Sequence, residues 1–218
     1  MKSLTVNQGH SKRGWQRAIG WRSLLLALLC SDAIARAAGL QAEPQAAPQA
    51  LCDTLLQAMK QGPALGFAGR VKLLDPELRR YYDFPLLTRL VVGPPWRSLA
   101  AEDQQALVAA FSDYSIAVYA SRFKDYSGER FVVDQTAATL ASGDAIVHTK
   151  LLPKNGDAVQ LDYLVRKGED GWRIIDVLLN GTVSEMAERR SEFAGTLRDG
   201  GAAALIRLLH QKTAQLAG

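Results

Sequence analysis

Cysteine is scarce in this chain: only Cys30 and Cys52 occur in 218 residues. Neither can close a disulfide framework of the kind that staples small secreted domains. Histidine is nearly absent too. His10, His148 and His210 stand far apart, and no pair has metal-ligand spacing. The sequence has no Gly-x-Ser-x-Gly elbow, no glycine-rich phosphate loop and no paired-cysteine motif. It also lacks any apolar run approaching the ~18 residues of a membrane-spanning helix. Redox, metal, nucleotide and serine-hydrolase chemistries therefore find no signature, and no cofactor is called for.

What is present begins with a leader. Lys2, Lys12, Arg13, Arg17 and Arg22 form a basic segment ahead of the short apolar run at 23–30. Ala33, Ile34 and Ala35 then offer a small-residue cleavage site, so residues 1–35 read as a cleavable export signal. That leader carries five of the 26 Lys and Arg and one of the 22 Asp and Glu, leaving 21 of each beyond it. The high isoelectric point thus belongs to the leader, and no basic face for nucleic acid is implied. Residues 36–49, rich in Ala, Gln and Pro, read as a flexible linker. Residues 50–218 suit one domain with a sizeable core. Cys52, within an apolar helical pattern, reads as a buried small hydrophobe.

Helical periodicity is expected over about 50–60, ending at Gly62 and Pro63, then over 69–82 and 84–92. Asp83 is placed to cap the third of these, and Gly93, Pro94 and Pro95 to stop it. A longer helix follows from Ser98 or Ala100. Its apolar stripe is Leu107, Ala110, Phe111, Tyr114, Val118, Tyr119 and Phe123.

Strands are expected over about 130–136, 144–153, 157–167 and 171–180, with Asn155 and Gly156 turning one hairpin. The last two strands are apolar on both faces: Val159, Leu161, Tyr163 and Val165 oppose Leu164. Ile174 and Leu178 likewise oppose Ile175, Val177 and Leu179. Such a sheet needs cover on both sides, by helices or by a greasy ligand. Two more helices, about 182–198 and 201–215, close the chain around Asp199, Gly200 and Gly201. The fold class is α+β. Tyr163 and Asp176, on adjacent strands, could form an acid–base pair if both faced a pocket, or merely a hydrogen bond that stabilises the sheet. A cargo carrier, a small enzyme acting on a greasy substrate and a docking protein without cargo all remain open to this reading.

A series of ordered blocks narrows the choice. Tyr82 to Gly93 followed by Trp96, Gln104 to Phe111, and Tyr126-Ser127-Gly128 resemble blocks of the MlaC family. So do Leu161-Asp162-Tyr163, Gly171-Trp172-Arg173, Gly181 to Ser184, Ser191-Glu192-Phe193 and Gly200 to Leu205. The likeness covers about residues 50–215. It implies a twisted antiparallel sheet of four to five strands wrapped by helices, an NTF2-like part beside a helical part, enclosing an apolar cavity for acyl chains. It further implies a periplasmic carrier that shuttles phospholipid between an inner-membrane ABC transporter complex and an outer-membrane complex, without catalysis.

The stretch at 127–131 and the Asn180-Gly181-Thr182 ending resemble the hopanoid-associated subgroup often called HpnM, which implies a hopanoid-type lipid as the other cargo. On this resemblance the expected lining is Phe84, Leu87, Val91, Phe111, Val118, Leu161, Tyr163, Ile174, Leu178, Val183, Met186 and Phe193, with Tyr163 near a polar end.

Overall fold

A computed structural model describes residues 43–218. The expected leader and residues 36–42 of the expected linker lie outside the described residues. Helix α1 spans Ala46–Tyr81 and so takes in part of the segment read as a linker. The expected break at Gly62 and Pro63 falls four residues later, at Gly66 (φ 60°, ψ −176°). Glycine alone takes that conformation without a Cβ penalty. Arg70, buried beyond the kink, donates from Nε to the Ala120 carbonyl at 2.7 Å and from Nη1 to the Gly62 carbonyl at 2.9 Å. Carbonyls thus satisfy a charge that would otherwise be costly inside.

Helix α2 spans Phe84–Val92. Asp83 caps it, Oδ1 accepting from the Leu86 amide at 3.0 Å. A 3-10 turn over Pro94–Ser98 leads to α3, Ala101–Arg122. The sequence predicts one apolar stripe on α3, yet Ile116, Ala117 and Ala120 on its other side are buried as well. The helix runs through the middle, packed by α1, α2 and the terminal helix, so most of its circumference is covered.

The strands are β1 (Arg130–Val133), β2 (Ala138–Thr139), β3 (Ala145–Val147), β4 (Thr149–Leu152), β5 (Val159–Gly168), β6 (Gly171–Leu179) and β7 (Val183–Ser184). All pair antiparallel. β3 and β4 hold a single register against β5, Val147 opposite Tyr163 and Lys150 opposite Gln160. They are the one strand expected over 144–153, interrupted at His148. The residue opposite His148 is Asp162, and the two side chains meet at 2.9 Å. The Asn155-Gly156 hairpin is wider than a two-residue turn, with residues 153–158 connecting the strands.

One expectation about the sheet is corrected. A bulge between Leu164 and Val165 shifts the β5–β6 register, so Val165 faces Ile174 while Tyr163 faces Val177. Ile174 therefore shares the face of Val177 and Leu179 instead of opposing them. Leu178 stands across from Asp162 on the other face. On the Tyr163 face, Ala145, Val147, Tyr163, Val165, Ile174 and Val177 are all buried in the common core. On the other, Ile146, Leu164 and Leu178 are half-buried among Asp162 and Asp176. The Tyr163 face is thus the more deeply covered, except toward its end at Val159 and Leu179, which stay exposed.

Helix α4, Glu185–Ala217, ends the chain and is kinked at Gly201 (φ 63°, ψ −161°), where two helices were expected to divide. Ser184 caps it, accepting from the Ala187 amide at 3.0 Å.

Candidate functional site

The site lies where the Tyr163 face of the sheet meets α3 and the first turns of α4. Its wall is a run of aromatic rings. Tyr82 stacks on Phe84 (centroids 5.7 Å apart) and tilts against Tyr119 (6.0 Å). Tyr119 stacks on Phe123 (5.6 Å), which tilts against Phe131 (6.2 Å). Such rings contribute large apolar area, but each phenol needs a partner when buried. Two of the phenols here find each other, the hydroxyls of Tyr82 and Tyr119 being hydrogen-bonded, and Tyr163 adjoins the Cys52 thiol of α1.

Burial is the largest influence on all four groups. It holds the three phenols above their ordinary range and pushes the Cys52 thiol up to about 12. They stay protonated at neutral pH, so the wall carries polar atoms without charge.

Two spaces open beside this wall. The larger, about 290 Å³, is bounded by Leu161, Tyr163, Val177 and Leu179 from the sheet, Tyr119 and Phe123 from α3, and Val183. Charged side chains border it as well: Arg122, Glu185, Glu188 and Arg189. Arg122 and Glu185 are loosely paired at 3.9 Å, and the Arg122 side chain is 64% exposed. Arg189 is held more firmly, at 2.8 Å from Glu192 and 3.5 Å from Glu185. The smaller space, about 20 Å³, lies among Phe84, Leu87, Phe111, Val118 and Met186. That is barely room for one water. Tyr119, Glu185 and Arg189 border both spaces, so they adjoin.

The twelve residues expected to line a cavity divide accordingly. Leu161, Tyr163 and Val183 border the larger space. Phe84, Leu87, Phe111, Val118 and Met186 surround the smaller. Val91, Ile174 and Phe193 are packed in the core, Phe193 edge-on to Tyr114 at 6.1 Å. Leu178 is on the far face of the sheet, because the bulge separates it from Ile174. Missing from the expected set were Val177, Leu179, Tyr119 and Phe123, together with the charged border. Correct strand register would have supplied the first two. The bordering residues Glu185, Glu188 and Arg189 recur at helical spacing in the first turns of α4, a legible signal.

Asp176 does not meet Tyr163. It lies opposite Leu164, on the other face. Its Oδ1 accepts from the amides of Val177 (2.8 Å) and Met186 (3.2 Å), and Ser184 Oγ–H donates to its Oδ2 at 2.5 Å. The carboxylate ties β6 to the start of α4, so neither the acid–base pair nor the hydrogen-bonded pair with Tyr163 that the sequence left open is formed. Among the described residues no cluster of three or more His, Cys, Asp or Glu could hold a metal ion.

The fold and the site together define an α+β protein of the helix-wrapped-sheet class, with a largely apolar space bordered by charged side chains. Residues 49–211 match the MlaC protein family, and the chain belongs to it. Among solved structures, the chain is similar to a phospholipid-binding protein from Ralstonia solanacearum in complex with a phospholipid. The two are 26% identical, with a TM-score of 0.70 over 81% of this chain and all of the other.

Proposed function

We propose that this protein is a periplasmic lipid carrier: it buries acyl chains in the space between β5, β6 and α3 and leaves the headgroup beside the charged side chains that border it. The observation that carries this reading is the division of the cavity surface. Its sheet and α3 surfaces are aliphatic and aromatic with uncharged phenols, while the charged groups, Arg122, Glu185, Glu188 and Arg189, come from the end of α3 and the first turns of α4. Burying a methylene contributes about 0.8 kcal/mol, and the volume near 290 Å³ lies just below the range of ligand cavities, ~300–1,000 Å³. The phospholipid complex of the similar Ralstonia protein supports the same cargo class.

On this reading the chain is exported by its leader and moves lipid between an inner-membrane ABC transporter complex and an outer-membrane complex. The cargo is a phospholipid, with a hopanoid-type lipid as the other candidate from the sequence. Native mass spectrometry with solvent extraction of the exported protein tests the proposal. About one lipid per chain is expected, and the class extracted decides between glycerophospholipid and hopanoid. A lipid-free protein that takes up neither class from vesicles would overturn it.

A further inference from the structure

The outer face of the helices that wall the cavity carries a feature the cavity does not use. Arg89 and Leu90 on α2, Pro94, Trp96 and Arg97 on the 3-10 turn and Arg190 on α4 surround a surface concavity of about 660 Å³. No carboxylate lines it. Of the other described arginines, Arg79, Arg122, Arg166, Arg173, Arg189 and Arg198 take part in ion pairs, whereas Arg70, Arg80, Arg130 and Arg207 do not and lie outside this concavity. Among the described residues, Arg89, Arg97 and Arg190 take part in none.

The helix dipole accounts for one cation near the end of α2. It does not account for three converging from separate elements. The arrangement also depends on Gly93. With φ at 71°, that residue ends α2, and a Cβ on it would lie 3.0 Å from Arg190 Nη2. The guanidinium of Arg190 therefore lies across bare backbone, packed in place without a counter-charge.

We propose that this face docks on a bilayer surface bearing anionic phospholipid headgroups. The charges fit phosphate, which arginine binds through a planar fork. The residues between the charges favour a bilayer over an acidic protein surface. Leu90 is 42% exposed, and Trp96 is half-buried beside Pro94. An indole prefers the headgroup level of a membrane, and an aliphatic side chain the layer just below.

The inner face of α2 contributes Leu87 to the cavity region, and the residue before Arg190 borders the cavity. The inference concerns the outer face and stands whether or not the cavity holds lipid.

Sedimentation with vesicles tests it. The purified protein should bind phosphatidylcholine vesicles containing phosphatidylglycerol, bind pure phosphatidylcholine vesicles poorly, and be released by salt as screening shortens the reach of the charges. Each basic side chain near an anionic surface contributes roughly fivefold in partitioning, so the triple variant Arg89→Gln/Arg97→Gln/Arg190→Gln should lose on the order of 100-fold. A charge-matched triple at exposed sites elsewhere, Lys154→Gln/Lys167→Gln/Arg207→Gln, should retain binding.

Equal loss in both triples would overturn the proposal, as would wild-type binding that ignores headgroup charge. Failure of the wild type to bind anionic vesicles at low salt would also overturn it, and would point to an acidic protein surface instead. Extractable lipid measured on the same variants separates the two proposals. The patch triple should keep its cargo while losing the vesicles.

Discussion

Arg189 lies across the ring of Tyr114, its guanidinium carbon 5.3 Å from the ring centroid and its Nη1 3.2 Å from the phenol oxygen. The same guanidinium reaches Glu192 and Glu185, so one half-buried cation fastens α4 to α3 at the seam between the two spaces. Arg189→Met removes a donor from two carboxylates and from a phenol. Groups left unsatisfied in such a place cost about 1–3 kcal/mol, and a lowered urea midpoint of that size is expected. Arg190→Met, one residue on and exposed, should stay within about 0.5 kcal/mol. Equal effects at the two arginines would refute the fastening role of Arg189.

Cavity and core make opposite demands on a side chain, which gives a contrast between Leu161 and Phe193. Leu161 borders open volume; Phe193 is wholly buried. Leu161→Trp should fill the space, leave the melting temperature near that of the parent and remove co-purifying lipid. Phe193→Ala should cost about 3–5 kcal/mol through the cavity it leaves. Its lipid content per folded molecule should fall less than that of Leu161→Trp. Lipid extraction beside a thermal melt reads both variants. A Leu161→Trp protein that melts normally and still carries lipid would remove this space from the proposed site.

Much of this architecture was legible because local chemistry and tertiary packing agree. Asp83 ahead of Phe84 and Pro85 marks a cap, and the structure uses it. Gly201 marks a division of the terminal helix, and the chain kinks there. What was hidden was the register. A single bulge at Leu164 reverses which β6 residues share a face with Tyr163, and alternation alone cannot reveal a bulge, because the period of two is broken at one unmarked residue.

The same slip put Leu178 among the expected lining and left Val177 and Leu179 out. Core and lining were also inseparable in sequence. Val91 and Phe193 have the same apolar character as Leu161, and only the presence of unfilled volume distinguishes them. The kink at Gly66 instead of Gly62 and Pro63 has a similar origin: several residues could break the helix, and tertiary contacts from Arg70 select one.

Asp176 and Ser184 should behave as one unit. The carboxylate accepts from the Ser184 hydroxyl and from two backbone amides, while Ser184 Oγ accepts from Ala187 at the start of α4. Asp176→Ala is expected to cost about 1–3 kcal/mol, and Ser184→Ala about 1 kcal/mol, the worth of a helix cap. Because they share a hydrogen bond, the double variant should fall short of the sum by about 0.5 kcal/mol or more. A double-mutant cycle by urea unfolding measures the shortfall. Strict additivity would mean that the two act independently.

Part of the acid sensitivity should come from the pair formed by Asp144 and Arg166. The carboxylate of Asp144 is buried and accepts two parallel bonds, from Arg166 Nε and Nη2, each 2.7 Å long. That fork is the main influence holding its pKa below the ordinary aspartate value; Ser142 adds to it, and burial opposes it. The unfolded chain lacks the fork, so it takes up the proton first as pH falls. Stability from this pair is therefore complete above the unfolded value, ~3.9. It is lost progressively as pH drops through the lower folded value. Arg166 is half-exposed, so solvent screens part of the effect. Asp144→Asn cannot titrate at this site. Its melting temperature should start lower at neutral pH and decline less steeply on acidification, so that the two curves converge. Melting curves of both proteins across the acid range read this directly, and parallel declines would show that the acid response arises elsewhere.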